Sequence, residues 1–481
     1  MATKVLNLNF NSHRNTMSTK SMHFLKNFFI TISIVNFSMN GILAQSDETQ
    51  HTPWKLDGAQ ERIKTIRKGD AVLRFVFDEV VPSGEMGTID IKLNSHAFNF
   101  GVSMTQVNAF AGTPYFEAYH QRVEELFNFV TVGFYWVAYD ERRDLSNFKK
   151  RMRKTIDWAQ ANNIKIKGHP LLWHESLPKW VIDSKDPEKL EPSIFSRLEH
   201  LITTYPEIAY WDVYNEPVAP FKEHVTPNGV SRWIKYKGGI YPAMQSLYDF
   251  VNNVDASKKY TNNHYHPNDP AFLALNEFFV TNNVKYDAIG MQAHMQTNDN
   301  VLSEEELLAQ VEKFAFLKKD IQFTELTVTS SKRFENWKDH QVFLEKRKKA
   351  RKNGKQLNLP SLPAYEDYQA AYIKDFYTLL FSLPQISSIT FWNLTDRNTW
   401  RGHAGGILDM ELKPKKAFYT LKDLIKNEWS TQISKTIALE NDLNFNGFYG
   451  SYNGTLSIAG KKYSFDFEHS KENKEPIKIM L

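Results

Sequence analysis

Eight apolar, strand-like runs recur between Phe98 and Asp396, separated by stretches of helical periodicity. They are FNFGVSM near Phe98, FNFVTV near Phe127, IKIKGHPLLWH ending at His174 and YWDVYNE ending at Glu216. KKYTNNHYH near Tyr260, YDAIGMQAHM near His294, IQFTEL around Glu325 and SSITFWNLTD ending at Asp396 complete the set. Tyr115 to Leu126, Leu145 to Asn162 and Glu304 to Lys318 show the spacing of amphipathic helices. Strands alternating with helices predict a parallel sheet, and eight repeats predict one closed (β/α)₈ TIM barrel of roughly 330 residues. Polar residues gather at the ends of the runs, the face on which such a barrel carries its chemistry.

Two of those ends deliver carboxylates. WDVYNEP (Trp211 to Pro217) opens as a strand and ends in Asn215-Glu216, and IQFTEL presents Glu325 in the same way. Retaining glycoside hydrolysis needs such a pair, one acid and one nucleophile, with carboxyls roughly 5 Å apart.

The ends of the chain read differently. Lys20 and Lys26 precede an apolar run from Phe28 to Val35 and a small-residue exit at Ala44-Gln45-Ser46, the pattern of a secretory signal peptide over residues 1–44. A disordered tail is the alternative. A secreted, periplasmic or cell-surface location is therefore expected. Residues 1–44 carry Lys4, Arg14, Lys20 and Lys26 and no acidic residue, so without them the 59 basic residues fall to 55, matching the 55 acidic ones. A neutral chain calls for neither nucleic acid nor a membrane surface, and the signal-like run is too short to span a bilayer. There is no cysteine, which excludes disulfides and thiolate chemistry.

Residues 45–95 read as a linker followed by strands: AVLRFVFDEV, a turn at Pro82-Ser83-Gly84, then GTIDIKL, a hairpin or antiparallel pair. Residues 429–481 are also strand-rich, with GFYGSYNGTLSIAGKKYSFDF from Gly447 to Phe467. Each piece is too small to bury a core alone, so the two are expected to pair as one small β-rich appendage to a barrel over 96–428.

GHPLLWH, WDVYNEP, GMQAH, TEL and FWNLTDRNTWR stand in the order and spacing of glycoside hydrolase family 10, the retaining endo-β-1,4-xylanases, and the resemblance covers about Trp54 to Trp429. It implies a xylan-type polysaccharide substrate, no cofactor and no metal, with Glu216 as acid/base and Glu325 as nucleophile. It further implies that His169 and Trp173 contact the sugar and that Asn215 donates to its 2-OH. Gln292 and His294 bind and orient the nucleophile, and Trp392 and Trp400 wall the reacting sugar, with Arg401 holding the Trp400 loop. Duller readings stand beside these: barrel filling for Trp173 and Trp392, a structural role for His174, and a metal pair at His169 and His174. Glu175 falls on the opposite strand face from His174, which disfavours the metal. Another β-linked polysaccharide, such as mixed-linkage xylan or glucan, is the alternative substrate, and a non-catalytic polysaccharide-binding protein is the rival from another class.

The chain departs from the family in three places. Strand two is usually followed by a Glu-Asn…Lys-Trp string that grips sugar; here it reads TVGFYW, Thr131 to Trp136, with Phe134 and Tyr135 offering apolar surface. Ser176 stands for a glutamine, and Thr327 for an aspartate two residues after the nucleophile, which leaves His294 without a carboxylate partner and neutral. The segment from Val328 to Asp367 contains EKRKKARKNGK, either a solvated helix or a surface that attracts anionic sugar substituents.

Overall fold

Each of the eight predicted runs forms a strand in the computed structural model, which describes residues 48–78, 82, 84–141, 144–222 and 225–481. The expected signal peptide lies outside the described residues. The strands are β1 (Asn99–Ser103), β2 (Phe129–Gly133), β3 (Lys165–His169), β4 (Tyr210–Asn215), β5 (Lys259–His264), β6 (Ala288–Met291), β7 (Asp320–Val328) and β8 (Ile386–Phe391). Neighbours pair in parallel around the ring, and β8 returns to β1, with Ile389 opposite Phe100. This is a closed (β/α)₈ barrel, and closure leaves no open sheet edge in it. The helices that wrap it start at recognisable caps, such as Ser303 with Glu306 before Glu304–Ala315, and Asp186 with Pro187 before Pro187–Thr204.

The barrel interior is polar at mid-height. Lys167 Nζ lies 2.6 Å from Asp212 Oδ1, both side chains almost fully buried, and also donates to Gln322 Oε1 at 3.1 Å. Gly168 has no side chain because Trp211 occupies that space; a Cβ there would sit 2.0 Å from the indole.

The terminal segments interleave. The strand Lys68–Val76 lies between Leu443–Phe448, antiparallel, and Ile477–Met480, parallel. Met86–His96 lies between Gln432–Ala438 and Gly450–Ile458, which pairs on with Lys461–His469. The two sheets meet through Phe75 on Phe465 (5.6 Å between ring centroids) and Phe445 on Tyr452 (5.7 Å). Neither the expected hairpin nor an antiparallel pair forms between the two N-terminal strands. Both N-terminal strands are present, but each takes its partners from the C-terminal segment and they belong to different sheets. The appendage packs under the start of the barrel strands: Arg67 donates to the carbonyls of Leu383 and Ile386, and Phe381 stacks on Trp429 at 4.4 Å. It therefore closes the end opposite the polar strand tips.

Candidate active site

Local irregularity sets the two glutamates. Pairing of β4 with β5 shifts register between Asp212 and Asn215, and β7 with β8 shifts between Phe323 and Leu326. Such breaks re-aim the side chains beside them. Glu216 follows at once in the left-handed region (φ 61°), and its N–H donates to Asn263 O at 2.8 Å, which holds the turn. A non-glycine residue in that region carries strain of about 1 kcal/mol or more, a cost that concentrates at functional sites.

Glu216 accepts from Gln292 Nε2 (2.9 Å) at Oε1 and from Trp173 Nε1 (3.2 Å) at Oε2. Burial is the largest influence on its carboxyl; with the charges of Glu325 and Glu175 it outweighs those donors and pushes the pKa up to about 7. Glu325, 5% exposed, accepts from Asn263 Nδ2 at 2.9 Å and from His294 Nε2 at 3.1 Å, with His169 Nε2 at 4.0 Å. One carboxyl is thus set to carry a proton and the other is surrounded by donors.

The histidines differ in charge tendency. His169 Nδ1 donates to Asp212 Oδ2 at 2.7 Å. Burial works against its protonation, but the Asp212 bond and the charges of Glu325 and Asp212 win, and its pKa is raised. Asp212 is itself held low: burial opposes ionisation, and Lys167 and His169 overcome it. His294 has Thr327 Oγ1 at 3.0 Å from Nδ1, and burial lowers its pKa. The neutral tautomer protonated on Nε2 satisfies both contacts, with Thr327 donating to Nδ1.

The structure places the other sequence candidates as follows. Trp392 is buried, edge-on to His169 (5.4 Å) and His294 (6.1 Å); Trp400 lies 4.3 Å from His294 and is 36% exposed. Arg401 caps Trp400 at 3.8 Å and also reaches Trp337 at 4.6 Å. Asn215 Oδ1 accepts from Asn263 Nδ2 at 2.9 Å. Gln292, expected beside Glu325, instead donates to Glu216 and, at 3.5 Å, to Asn215. Phe134, expected to offer apolar surface to the cleft, is instead fully buried against Tyr205 and Trp211. Tyr135 alone of that pair faces the site, 5.6 Å from His169 and 6.0 Å from Trp173. His174 stacks on Tyr214 in the core at 6.2 Å, and among the described residues no cluster of three metal-ligating side chains occurs.

Sequence reasoning missed Asn263, Asp212 and Lys167. Asn263 is the hub: its Nδ2 serves both Asn215 and Glu325, while its Oδ1 accepts from Thr324 Oγ1 at 2.7 Å. The signal was the polar tip of KKYTNNHYH, which gives no reason to prefer Asn263 over Asn262.

The sequence model of glycosyl hydrolase family 10 matches residues 89–424. The chain belongs to glycosyl hydrolase family 10. Curated relatives within reach include endo-1,4-beta-xylanase A of Thermoanaerobacterium saccharolyticum, 28% identical over 309 residues, covering 59% of this chain and 23% of that protein. Anti-sigma-I factor RsgI6 of Acetivibrio thermocellus is 24% identical over 428 residues, covering 85% of this chain and 48% of its own. The chain thus spans about a quarter to a half of the length of these relatives. Among solved structures, xylanase 10B of Thermotoga petrophila in complex with xylobiose superposes with a TM-score of 0.55 at 21% identity, over 69% of this chain and 95% of that one. The family 10 protein of Paenibacillus barcinonensis gives 0.54 at 20% identity, over 69% and 96%. At that identity the likeness concerns the fold, and it agrees with the family 10 barrel described above.

Proposed function

We propose that this family 10 member is an exported retaining endo-glycosidase that cleaves β-1,4-xylosidic bonds in xylan or decorated xylan. Glu216 protonates the leaving oxygen and later activates water; Glu325 attacks the anomeric carbon and forms the glycosyl-enzyme. One observation carries the reading: the tips of β4 and β7 hold one carboxyl at about 7 and another among the N–H groups of Asn263 and His294. Environments that push two carboxyls apart in pKa are how one site supplies acid and nucleophile together. The names of the xylanase relatives support the substrate class, and the apolar run before Ser46 supports export.

Trp400 and Trp392 suit the walls around a sugar ring that becomes cationic. The helix Trp337–Lys352 joins the Trp400 loop through Arg347 to Thr399 O (3.4 Å) and exposes Lys346, Lys348, Lys349, Arg351 and Lys352. Uronic-acid decorations suit that charge.

The test is reducing-sugar release from xylan, with the products chromatographed. Wild type releases oligosaccharides, and Glu216→Ala and Glu325→Ala each lose about 10³-fold or more. The first anomer seen by proton NMR is β. An α product, or activity that survives loss of either glutamate, sinks the reading. On uronic-acid-bearing xylan the rate falls as salt rises; a salt-independent rate removes the role of the basic helix.

A further inference from the structure

Tyr135 is built into the site by its neighbours. Phe134 is a buried anchor whose N–H donates to His169 O at 2.6 Å and whose carbonyl accepts from Arg197. On the other side, the Tyr135 carbonyl accepts from Tyr139 N at 2.9 Å, at the start of the short helix Trp136–Asp140. Gly133 leaves room for the ring: a Cβ there would lie 3.2 Å from Tyr135 Cε2. The ring rests edge-on to His169 and tilted against Trp173, the two side chains that approach Glu325 and Glu216 respectively.

The hydroxyl has no hydrogen-bond partner among the described residues, and unlike the partnerless hydroxyls of Tyr214, Tyr286 and Tyr377 it is not sealed in the core. Tyr135 is only half-buried, so its hydroxyl is left for solvent or substrate. Burial first, then the charges of Glu325, Glu216 and Asp212, keep the phenol protonated.

We infer that Tyr135 is a substrate-binding residue whose hydroxyl hydrogen-bonds a ring hydroxyl of the reacting sugar, substituting for the polar groups missing after β2. The inference rests on the proposed hydrolysis and adds a contact to it. The bond is directed and shielded, so its loss falls on the transition state as well as on binding.

The experiment uses the full chain and an aryl β-xylobioside, with 2-deoxy and 3-deoxy analogues of the reacting sugar. Tyr135→Phe keeps the ring, and an unchanged melting temperature checks the fold. On the parent glycoside, kcat/KM falls by about 10- to 100-fold, with part of the loss in kcat. On the analogue lacking the partner hydroxyl, the penalty shrinks to roughly threefold or less. A parent penalty under about twofold overturns the inference, as does a penalty that persists undiminished on both analogues. Failure of wild type to cleave the parent is a different result: it overturns the hydrolase reading, and this inference with it.

Discussion

Thr327 Oγ1 lies 3.0 Å from His294 Nδ1, and the opposite nitrogen of that ring reaches Glu325 Oε2 at 3.1 Å. A hydroxyl therefore stands where a carboxylate would fix a cationic histidine. Thr327→Asp should raise the His294 pKa, because an adjacent negative charge favours imidazolium. A protonated His294 stabilises ionised Glu325, so the acidic limb of the kcat/KM profile moves to lower pH. A pH–rate curve that does not move under this substitution contradicts the role assigned to Thr327.

The pKa of about 7 at Glu216 comes chiefly from burial, but Glu175 adds to it from the surface. Glu175→Gln removes a like charge without touching the two carboxyls, so Glu216 loses its proton at lower pH. The expected result is a basic limb displaced downward by a fraction of a pH unit, with kcat at the optimum nearly intact. A limb displaced upward, or lost activity at every pH, counts against this account.

Asn263 ties Asn215 to Glu325 through one amide nitrogen. Asn263→Ala leaves Glu325 short of a donor and frees Asn215, and a drop in kcat of about 10²-fold is expected. Asn263→Asp puts a second negative charge beside Glu325 and should be worse while keeping the shape. Steady-state kinetics on xylo-oligosaccharides separate the two variants; an aspartate variant more active than the alanine one contradicts the role given to the amide.

What could be read in the sequence follows from what repeats. Apolar runs with polar tips announced all eight strands, because a barrel strand is buried along its length and its chemistry sits at one end. Glu216 and Glu325 were legible for that reason. Lys167 and Asp212 were not, since a charged residue within a strand reads as solvent-facing until the barrel closes over it. Phe134 and Tyr135 looked equivalent as neighbours; the turn after β2 sends one into the core and the other to the cleft. The terminal strands were visible, but register across more than 350 residues, as between Val72 and Asn444, leaves no local mark, and a short turn favoured the wrong hairpin.

Buried histidines make stability depend on acid. Burial lowers the pKa of His96, His264 and His403 to about 3 and that of His340 to about 4. An unfolded histidine titrates near 6.5, so between these values the unfolded chain binds more protons and folding stability declines as the pH is lowered. The contribution is fully present above about 6.5 and is lost toward 3 to 4, at about 1.4 kcal/mol per pH unit for each histidine. Glu216 opposes them in part: with a folded value near 7, it binds its proton first in the folded state and gains stability as pH drops. The urea midpoint at pH 5 should therefore lie well below that at pH 7. His96 packs edge-on against Phe100, Phe381 and Phe448, so His96→Phe keeps the packing and removes one titration. That variant should show a dependence on pH shallower by about one proton. A midpoint that does not change between pH 5 and 7 would mean these rings are already charged in the folded chain.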